Sequence, residues 1–315
     1  MNVTLRQLRV FLSMAGTRNF SRAGEAVGPT QPAVSRAIRD LERELGLRLL
    51  DRTTREVALT EAGRSLVARL DRALDELDAT LADVTGLADA DGGKVRVASS
   101  PTLSAYLMPA CIAACARTAP RVRFLLLDRI QQEVLEGVRG GEVDFGVVVE
   151  PPGVDDLHCE PALHDPFVLV TPPSHRLART ASVRWKALDG QSLVLLDAAS
   201  GSRRYVDDAL ARHGAQCRIE QELSHPTTVF QMVEAGIGLT VMPRLAVPPG
   251  GLPGLSVRPL LPRLERTVML VRRQDRALSP VADRVWRIVS ETVQARTRLA
   301  RGLASPSSAP SRKSK

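Results

Sequence analysis

The sequence predicts an α/β protein that carries an all-α winged helix-turn-helix head at its N-terminus. Three observations lead to this prediction. Apolar residues recur at three- and four-residue spacing over the first 60 residues, interrupted by glycine and proline. A longer seven-residue repeat follows, and beyond residue 93 short β-like runs alternate with helical stretches. At 315 residues the chain is long enough for a small domain and a larger one.

Three short helices are predicted in the head. Ser21 is the expected N-cap of the second helix, and Gly28-Pro29 should end it, because glycine permits a left-handed turn and proline cannot continue a helix. Thr30 is the expected N-cap of the third helix. Pro32 falls in its first turn, where a missing N–H is harmless, and Gly46 should end it. The alternating residues that follow, up to Leu59, suit a short two-stranded wing.

The third helix has an apolar stripe at Val34, Ile38, Leu41 and Leu45, and polar residues lie opposite it. In a helix-turn-helix the second helix of the pair enters the major groove, so such polar residues suit contacts with base edges. Basic residues of the wing suit phosphate or minor-groove contacts. The alternative is a solvated face whose arginines only keep the protein soluble. The candidate DNA-binding residues are Gln31, Pro32, Ser35, Arg36 and Arg39 on the helix, and Arg52 and Arg55 in the wing.

A heptad seam follows the head. Its apolar residues are separated alternately by three and four positions, which predicts one long helix that pairs with a second helix. Thr60 precedes it as half of a capping box. The sequence therefore predicts a homodimer. The seam consists of Val67, Leu70, Leu74, Leu77, Leu81, Val84 and Ala88.

The remainder predicts an α/β domain and a tail. A polar, glycine-rich linker at Asp89 to Gly93 precedes it, a closing helix is expected at Ser279 to Thr297, and the tail is rich in Ser, Pro, Arg and Lys and is expected to be disordered. The predicted domains are 1–59, 60–88 and 89–300, followed by the tail at 301–315. The predicted strands are Val95–Ala98, Val122–Leu127, Val143–Val149, Phe167–Val170, Leu193–Leu196, Arg218–Leu223, Leu239–Met242 and Val268–Val271.

Charge is distributed unevenly along the chain. The formal net charge of +8 favours a polyanionic partner. Residues 1–70 contain twelve arginines against seven acids, whereas residues 71–93 contain seven acids against one arginine. No apolar run reaches membrane-spanning length and the N-terminus has no signal-peptide pattern, so we expect a cytoplasmic protein without a membrane partner.

An enzyme is the first alternative, and the motifs do not favour it. The sequence has no Gly-x-Ser-x-Gly elbow, Walker loop or His-Glu-x-x-His helix, and the five histidines form no ligand cluster. The cysteines lack the paired spacing of a zinc site, so we expect neither a metal nor another cofactor. A thiol redox sensor stays open as an alternative, with Cys159 and Cys217 as its candidates, although buried reduced cysteine is the favoured interpretation.

The ordered motifs of the chain resemble the LysR-type transcriptional regulator family, over roughly residues 3 to 295. Two residues depart from the family pattern: Gly24 stands where a second alanine is usual and Leu50 where phenylalanine is usual. Gly24 should loosen its helix by up to ~1 kcal/mol relative to Ala. The motifs that carry the resemblance are Leu8-Arg9-Val10-Phe11, Asn19-Phe20-Ser21-Arg22-Ala23, Thr30-Gln31-Pro32-Ala33-Val34-Ser35, Leu41-Glu42, Leu45-Gly46, Leu49-Leu50-Asp51-Arg52, Leu59-Thr60-Glu61-Ala62-Gly63, Gly141-Glu142-Val143-Asp144-Phe145-Gly146-Val147, Ser174-His175-Arg176-Leu177-Ala178 and Glu234-Ala235-Gly236-Ile237-Gly238-Leu239 through Pro243.

This resemblance implies a C-terminal pair of α/β subdomains like a type-2 periplasmic binding protein, with a small-molecule effector in the cleft between them. The subdomains would span about 94–170 with 268–297, and about 171–267. The chain would cross between them near Val170–Pro173 and Leu261–Thr267. The resemblance also implies tetramers formed through the C-terminal domains. A small-molecule-binding protein without DNA function would share the cleft but would not need the head at Leu5 to Leu59.

Hydroxyl-rich turns mark the expected effector site. Two of them follow predicted strands and open helices, where amide N–H groups favour anions, so an anionic effector is favoured, with Arg203 as its counter-ion. Serine and threonine in such places are also common helix caps, and that alternative stays open. The candidate effector-binding residues are Ser99, Ser100, Thr102, Ser200, Ser202, Arg203 and Thr227.

Overall fold

The computed structural model describes residues 2–28, 30–52, 57–84, 92–151, 153–248 and 250–303. The chain divides into two compact units, Met1–Asp89 and Ala90–Lys315, and each is described by itself. No helix among these described residues is both long and apolar enough to cross a membrane. Of the predicted tail, residues 301–303 form the last turn of a helix, and the rest lies outside the described residues.

The N-terminal unit contains four helices and a two-stranded antiparallel wing among its described residues, in the predicted order. Leu50 pairs with Leu59 and Arg52 with Val57 in the wing. The elements are α1 (Leu5–Thr17), α2 (Phe20–Val27), α3 (Gln31–Leu45), β1 (Leu50–Arg52), β2 (Val57–Leu59) and α4 (Glu61–Val84).

The helix ends differ in detail from the predicted caps. Asn19, not Ser21, caps α2, because its Oδ1 accepts hydrogen bonds from the N–H groups of Ser21 and Arg22 at 2.9 and 3.1 Å. Thr30 occupies the N-cap position of α3 but its side chain makes no capping bond. The predicted stop at Gly46 is confirmed, since this residue ends α3 at a φ of 67°.

Specific hydrogen bonds attach the wing to the helices. Glu42 on α3 accepts hydrogen bonds from the N–H groups of Leu49 and Leu50, at 2.9 and 3.1 Å. Thr60 accepts one from the N–H of Gly63 at 3.0 Å, which caps the start of α4. A Cβ on Gly63 would lie only 2.2 Å from the carbonyl oxygen of Leu49, so only glycine fits here.

The core of the N-terminal unit also takes in the start of α4. Leu70 and Leu74 are buried against the head together with the apolar stripe of α3, whereas Leu81 is 50% exposed. The first part of the predicted seam therefore packs within its own chain. Ala88, its last predicted member, lies outside the described residues. The other buried residues of this core are Val10, Phe11, Met14, Ala23, Val34, Ile38, Leu41, Leu49 and Leu50.

The second unit has an eight-stranded sheet and a separate parallel pair of strands, both flanked by helices. Each of the eight predicted strands is confirmed, with bounds that differ by a few residues except where noted below. The elements are β3 (Gly92–Ser99), α5 (Pro101–Tyr106), α6 (Met108–Thr118), β4 (Arg121–Asp128), α7 (Gln131–Arg139), β5 (Phe145–Val149), β6 (Leu157–Thr171), β7 (Val183–Arg184), β8 (Ser192–Leu196), α8 (Arg203–Arg212), β9 (Arg218–Leu223), α9 (Pro226–Glu234), β10 (Thr240–Pro243), β11 (Ser256–Leu261), β12 (Glu265–Arg273) and α10 (Pro280–Leu303), with short 3₁₀ turns at Arg176–Arg179, Trp185–Leu188 and Arg244–Ala246.

Strand β6 belongs to both halves of this unit. Its residues up to Pro166 pair with β12, in the sheet order β4-β3-β5-β12-β6, and its residues from Phe167 pair with β10 and β11. The chain therefore passes from the first half to the second between Pro166 and Phe167, a few residues before the predicted crossing. It returns where Glu265 opens β12 opposite Pro166. The two crossings lie side by side and form the hinge of the unit.

Each half has its own apolar core. In the first half, α6 and α10 pack on the sheet around Phe145 and Trp286, whose rings meet edge to face with centroids 5.3 Å apart. In the second half, Trp185 is almost fully buried, and its indole N–H donates to the carbonyl of Pro262 at 3.0 Å. A second apolar cluster completes each half, and the clusters of the two halves leave the space between the halves for a cleft.

Candidate DNA-binding face and effector cleft

Helix α3 presents the face that the sequence predicted for DNA contact. Val34, Ile38 and Leu41 are completely buried, and Gln31, Pro32, Arg36 and Arg39 are exposed on the other side, with Ser35 half-buried between them. Nε of Arg39 donates to the carbonyl of Ser35 at 3.3 Å, which lays this side chain along the helix. The side chain of Arg52 and the whole of Arg55 lie outside the described residues.

Four of the predicted effector-binding residues line one cleft between the two halves of the second unit. Ser100 and Thr102 come from the turn after β3, and Ser200 and Ser202 come from the turn after β8. The cleft contains about 390 Å³ of empty space, including the solvent at its mouth. The cleft is nearly closed in this conformation.

The other three predicted effector residues are not part of the cleft lining. The hydroxyl of Ser99 is fully buried and pairs with that of Ser104, which holds α5 against its strand. Thr227 lies exposed on α9. Arg203 is bound elsewhere: its guanidinium donates to Asp207 at 2.8 Å, to Glu222 at 2.7 Å and to the carbonyl of Leu196 at 2.9 Å. Two carboxylates already neutralise its charge, so the structure does not support the predicted counter-ion role.

The cleft lining contains charged residues that the sequence did not reveal. Asp197 opens the turn after β8, and Arg266 comes from the hinge strand β12. Asp197 could have been found, because it stands three residues before Ser200 in the same turn. Arg266 is 64 positions from Ser202, and only the fold brings the two together. The remaining lining residues are Pro101, Ile130, Val149, Ala199, Gly201 and Ser224.

Arg266 and Asp165 form a buried ion pair at the hinge, with 1% and 3% of their side chains exposed. They stand opposite each other on β12 and β6, and Nε of Arg266 donates to Oδ2 of Asp165 at 3.0 Å. Burial raises the pKa of Asp165, and the charge of Arg266 and a hydrogen bond from the N–H of Leu245 oppose this rise. Nη1 of Arg266 donates to Oγ of Ser202 at 2.6 Å, so the pair reaches from the hinge to the cleft wall.

The walls of the cleft also touch at its edge. Tyr205 on α8 donates its hydroxyl hydrogen to Oε2 of Glu150, which follows β5 on the opposite half, at 3.5 Å. Gln131 at the start of α7 lies against Gly201. These contacts belong to a conformation in which the two halves are close together.

Cys111 and Cys115 are buried, and Cys159 and Cys217 are half-buried. Burial raises the pKa of Cys115 to about 11 and also raises the pKa values of Cys159 and Cys217. The thiol of Cys217 donates to the carbonyl of Leu188 at 3.2 Å. A raised pKa disfavours the thiolate, which is the reactive form. Among the described residues no group of three His, Cys, Asp or Glu side chains could hold a metal ion.

A winged helix-turn-helix joined to a two-half α/β unit with a hinge and a cleft defines a class of DNA-binding regulators with a ligand-binding domain. Residues 5–64 match the model of the bacterial regulatory helix-turn-helix proteins of the lysR family, and residues 88–294 match that of the LysR substrate binding domain. The chain belongs to the LysR family of transcriptional regulators. It is a DNA-binding regulator with an effector-binding domain.

Similar proteins cover nearly the whole chain. It is 51% identical to the uncharacterized HTH-type transcriptional regulator YfeR of Shigella flexneri over 292 residues, which are 92% of this chain and 94% of the relative. A full-length OxyR variant of Pseudomonas aeruginosa superposes with a TM-score of 0.69 at 26% identity, covering 93% of this chain and 95% of that one. Full-length CbnR in complex with its target DNA shares the fold, with a TM-score of 0.67 at 20% identity over 93% of this chain and 100% of that one.

Proposed function

We propose that this regulator recognises an operator through the exposed face of α3 and that a small effector in the cleft changes how it binds that operator. The observation that carries the first part is the division of α3 into a buried apolar stripe and an opposite face with Gln31, Arg36 and Arg39. Amide and guanidinium groups of this kind read adenine and guanine in the major groove. Because DNA is its partner, the protein would work in the bacterial cytoplasm.

The proposed assembly is a homodimer formed by α4. The seam spacing from Leu77 onward continues beyond the part that packs on the head, and Leu81 is half exposed. Paired helices bury such a stripe and place two recognition helices on one face of DNA, about one helical turn apart or a multiple of it. Two such dimers would form the tetramer that the family resemblance implies.

The effector part rests on the cleft. Hydroxyls from both halves line the cleft. Each of the two hinge strands, β6 and β12, carries one residue of the buried ion pair between Asp165 and Arg266. A ligand that touches both walls favours a closed cleft, and it can change DNA binding only by its differential affinity for the two conformations. The typical coupling is about 1–3 kcal/mol.

Sequencing the genomic DNA that purifies with the protein tests this function. We expect enrichment of a few promoter regions that share an inverted repeat, and protection of that repeat from nuclease digestion by the purified protein. Enrichment without a shared repeat would contradict recognition by a symmetric pair of α3 helices.

A further inference from the structure

The cleft has an unusual balance of charge for a site that was expected to take an anion. Its described lining contains one cation, Arg266, and one acid, Asp197. Asp165 lies behind Arg266 and already offsets its charge. Arg244 also acts electrostatically on Asp165, so positive and negative charges around the site balance, which favours a ligand without net charge over one that is purely anionic.

Arg266 nevertheless retains hydrogen-bonding capacity. A guanidinium has five N–H donors, and the described contacts use Nε toward Asp165 and Nη1 toward Ser202. Nη2 lies 2.9 Å from Oδ2 of Asp165 as part of the ion pair, yet it makes no aligned hydrogen bond with any described residue. Nη2 is thus paired by charge but lacks a well-aligned hydrogen bond, and an oxygen supplied by a ligand would provide one. A carboxylate fits best, because its two oxygens match the planar guanidinium.

Asp197 offers the complementary group. Its Oδ1 accepts from the N–H of Ala199 at 3.1 Å and its Oδ2 accepts from the hydroxyl of Ser224 at 2.7 Å. An ionised carboxylate has about four acceptor positions, so about two stay open. Asp197 is half-buried at the cleft wall, where it would hold a positively charged donor such as an ammonium group.

We propose that the effector is a small zwitterion of the amino-acid type, with its carboxylate bound by Arg266 and the hydroxyls around it, and its ammonium group bound by Asp197. This inference rests on the proposed effector cleft and narrows its ligand class. A zwitterion leaves the net charge of the site unchanged.

Matched sets of probes test the ligand class on the full-length protein. Each of the standard amino acids is compared with the carboxylic acid that lacks its ammonium group and with the amine that lacks its carboxylate. Thermal shift identifies binders and calorimetry measures their affinity. We expect at least one amino acid to bind at least tenfold more tightly than both of its matched partners. An acid or amine that binds as tightly as its amino acid, or a screen in which no amino acid binds, would overturn the zwitterion.

Variants assign the two ends of the ligand. Asp197→Asn keeps an acceptor for the N–H of Ala199, and its NH₂ group can donate to the hydroxyl of Ser224, so it should fold. We expect it to weaken amino-acid binding at least tenfold while the matched acid binds no more weakly than before. Asp208→Asn, an exposed acid on α8, is the matched control and should leave every affinity unchanged. Equal affinities in the Asp197 variant and the wild type would overturn the role of Asp197.

The same preparations separate this inference from the proposed function. Operator binding is measured without any probe, so a failure of DNA recognition is seen independently of the ligand class. Thr102→Val removes a lining hydroxyl with little change of shape. If a carboxylic acid binds and Thr102→Val weakens its binding, the effector cleft is retained and only the zwitterion proposal is overturned. A bound amino acid with unchanged affinity for both Thr102→Val and Asp197→Asn would place the ligand outside the cleft and overturn both.

Discussion

Gln131 and Gly201 meet across the cleft so closely that a Cβ added to the glycine would lie 2.1 Å from Oε1 of the glutamine. Moving Gln131 costs free energy, because the same oxygen accepts a hydrogen bond from the N–H of Val149 at 3.2 Å. The absence of a side chain at position 201 is therefore what lets the two halves of the C-terminal unit come together here. Backbone geometry is not the reason, since Gly201 has no positive φ.

Gly201→Ala should displace Gln131 and break its bond to Val149, which costs about 1 kcal/mol. We expect denaturant unfolding to show this loss of stability. We also expect the affinity for the operator to shift toward that of the conformation in which the cleft is open. Gly250→Ala is the control, because nothing lies within 4 Å of its Cβ and its backbone is not left-handed. This control should be neutral or stabilising by up to about 1 kcal/mol. In a Gln131→Ala background the Gly201 substitution should lose most of its effect; an unchanged effect there would show that the two residues are not coupled.

Arg36→Ala should relax the base preference at one operator position and weaken binding by about 1–3 kcal/mol, because an exposed guanidinium on α3 suits a bidentate contact with guanine. Binding to a library of operator variants, measured at several salt concentrations, checks this. Arg43→Ala is the control on the same helix, since Arg43 pairs with Asp40 near the C-terminal end. Arg52→Ala should weaken all sequences alike and flatten the salt dependence. Identical sequence profiles and salt slopes for the Arg36 and Arg52 variants would contradict this division of roles.

Local sequence patterns were sufficient for the head and for the central strands, because each depends on the periodicity of its own residues. The start of β6 escaped prediction, since Pro161 and Pro166 interrupt its alternation and such residues usually demote a strand. Strand β11 contains Pro259 and follows a segment rich in glycine and proline, so it carried no strand signal either. Both strands are held by pairing with distant parts of the chain, mainly β12 and β6.

The cleft was predictable only in part, for the same physical reason. Ser100 and Ser202 could be predicted from the sequence, because a hydroxyl in a strand-to-helix turn is a local feature. Whether such a turn faces the cleft depends on packing, as the buried Ser99 and the exposed Thr227 show. Arg203 had the expected charge, but its acids come from the next helical turn and from β9. Arg266 enters from the hinge, and no pattern in its own neighbourhood indicates a partner 101 positions away.

Leu81→Asp should dissociate the dimer, because it places a charge in the part of the α4 seam that lies beyond the head. We expect the dissociation constant to rise at least tenfold, equivalent to about 1.4 kcal/mol, as measured by sedimentation equilibrium. Leu74 is unsuitable for this test since it is buried in the core of the head, where a charge would unfold the unit itself. Ala73→Asp, exposed on the same helix but outside the seam, provides the matched control and should leave the dimer intact. A Leu81 variant that stays dimeric would move the dimer interface away from α4.

Mild peroxide should leave operator binding unchanged within about twofold, because burial raises the pKa values of Cys115, Cys159 and Cys217. A raised pKa lowers the fraction of thiolate at neutral pH. With a pKa of about 11, Cys115 is ionised in only roughly one molecule in ten thousand at pH 7.

Thiolate formation, and with it alkylation by iodoacetamide, should increase only as the pH rises toward these pKa values. Mass spectrometry of the folded protein measures the alkylation rates, with the unfolded chain as the fast reference. Cys217→Ser and Cys159→Ser are the discriminating variants, since the serine at position 217 can still donate a hydrogen bond to the carbonyl of Leu188. A peroxide response that either substitution abolishes would establish thiol sensing and contradict regulation by a cleft-bound effector alone.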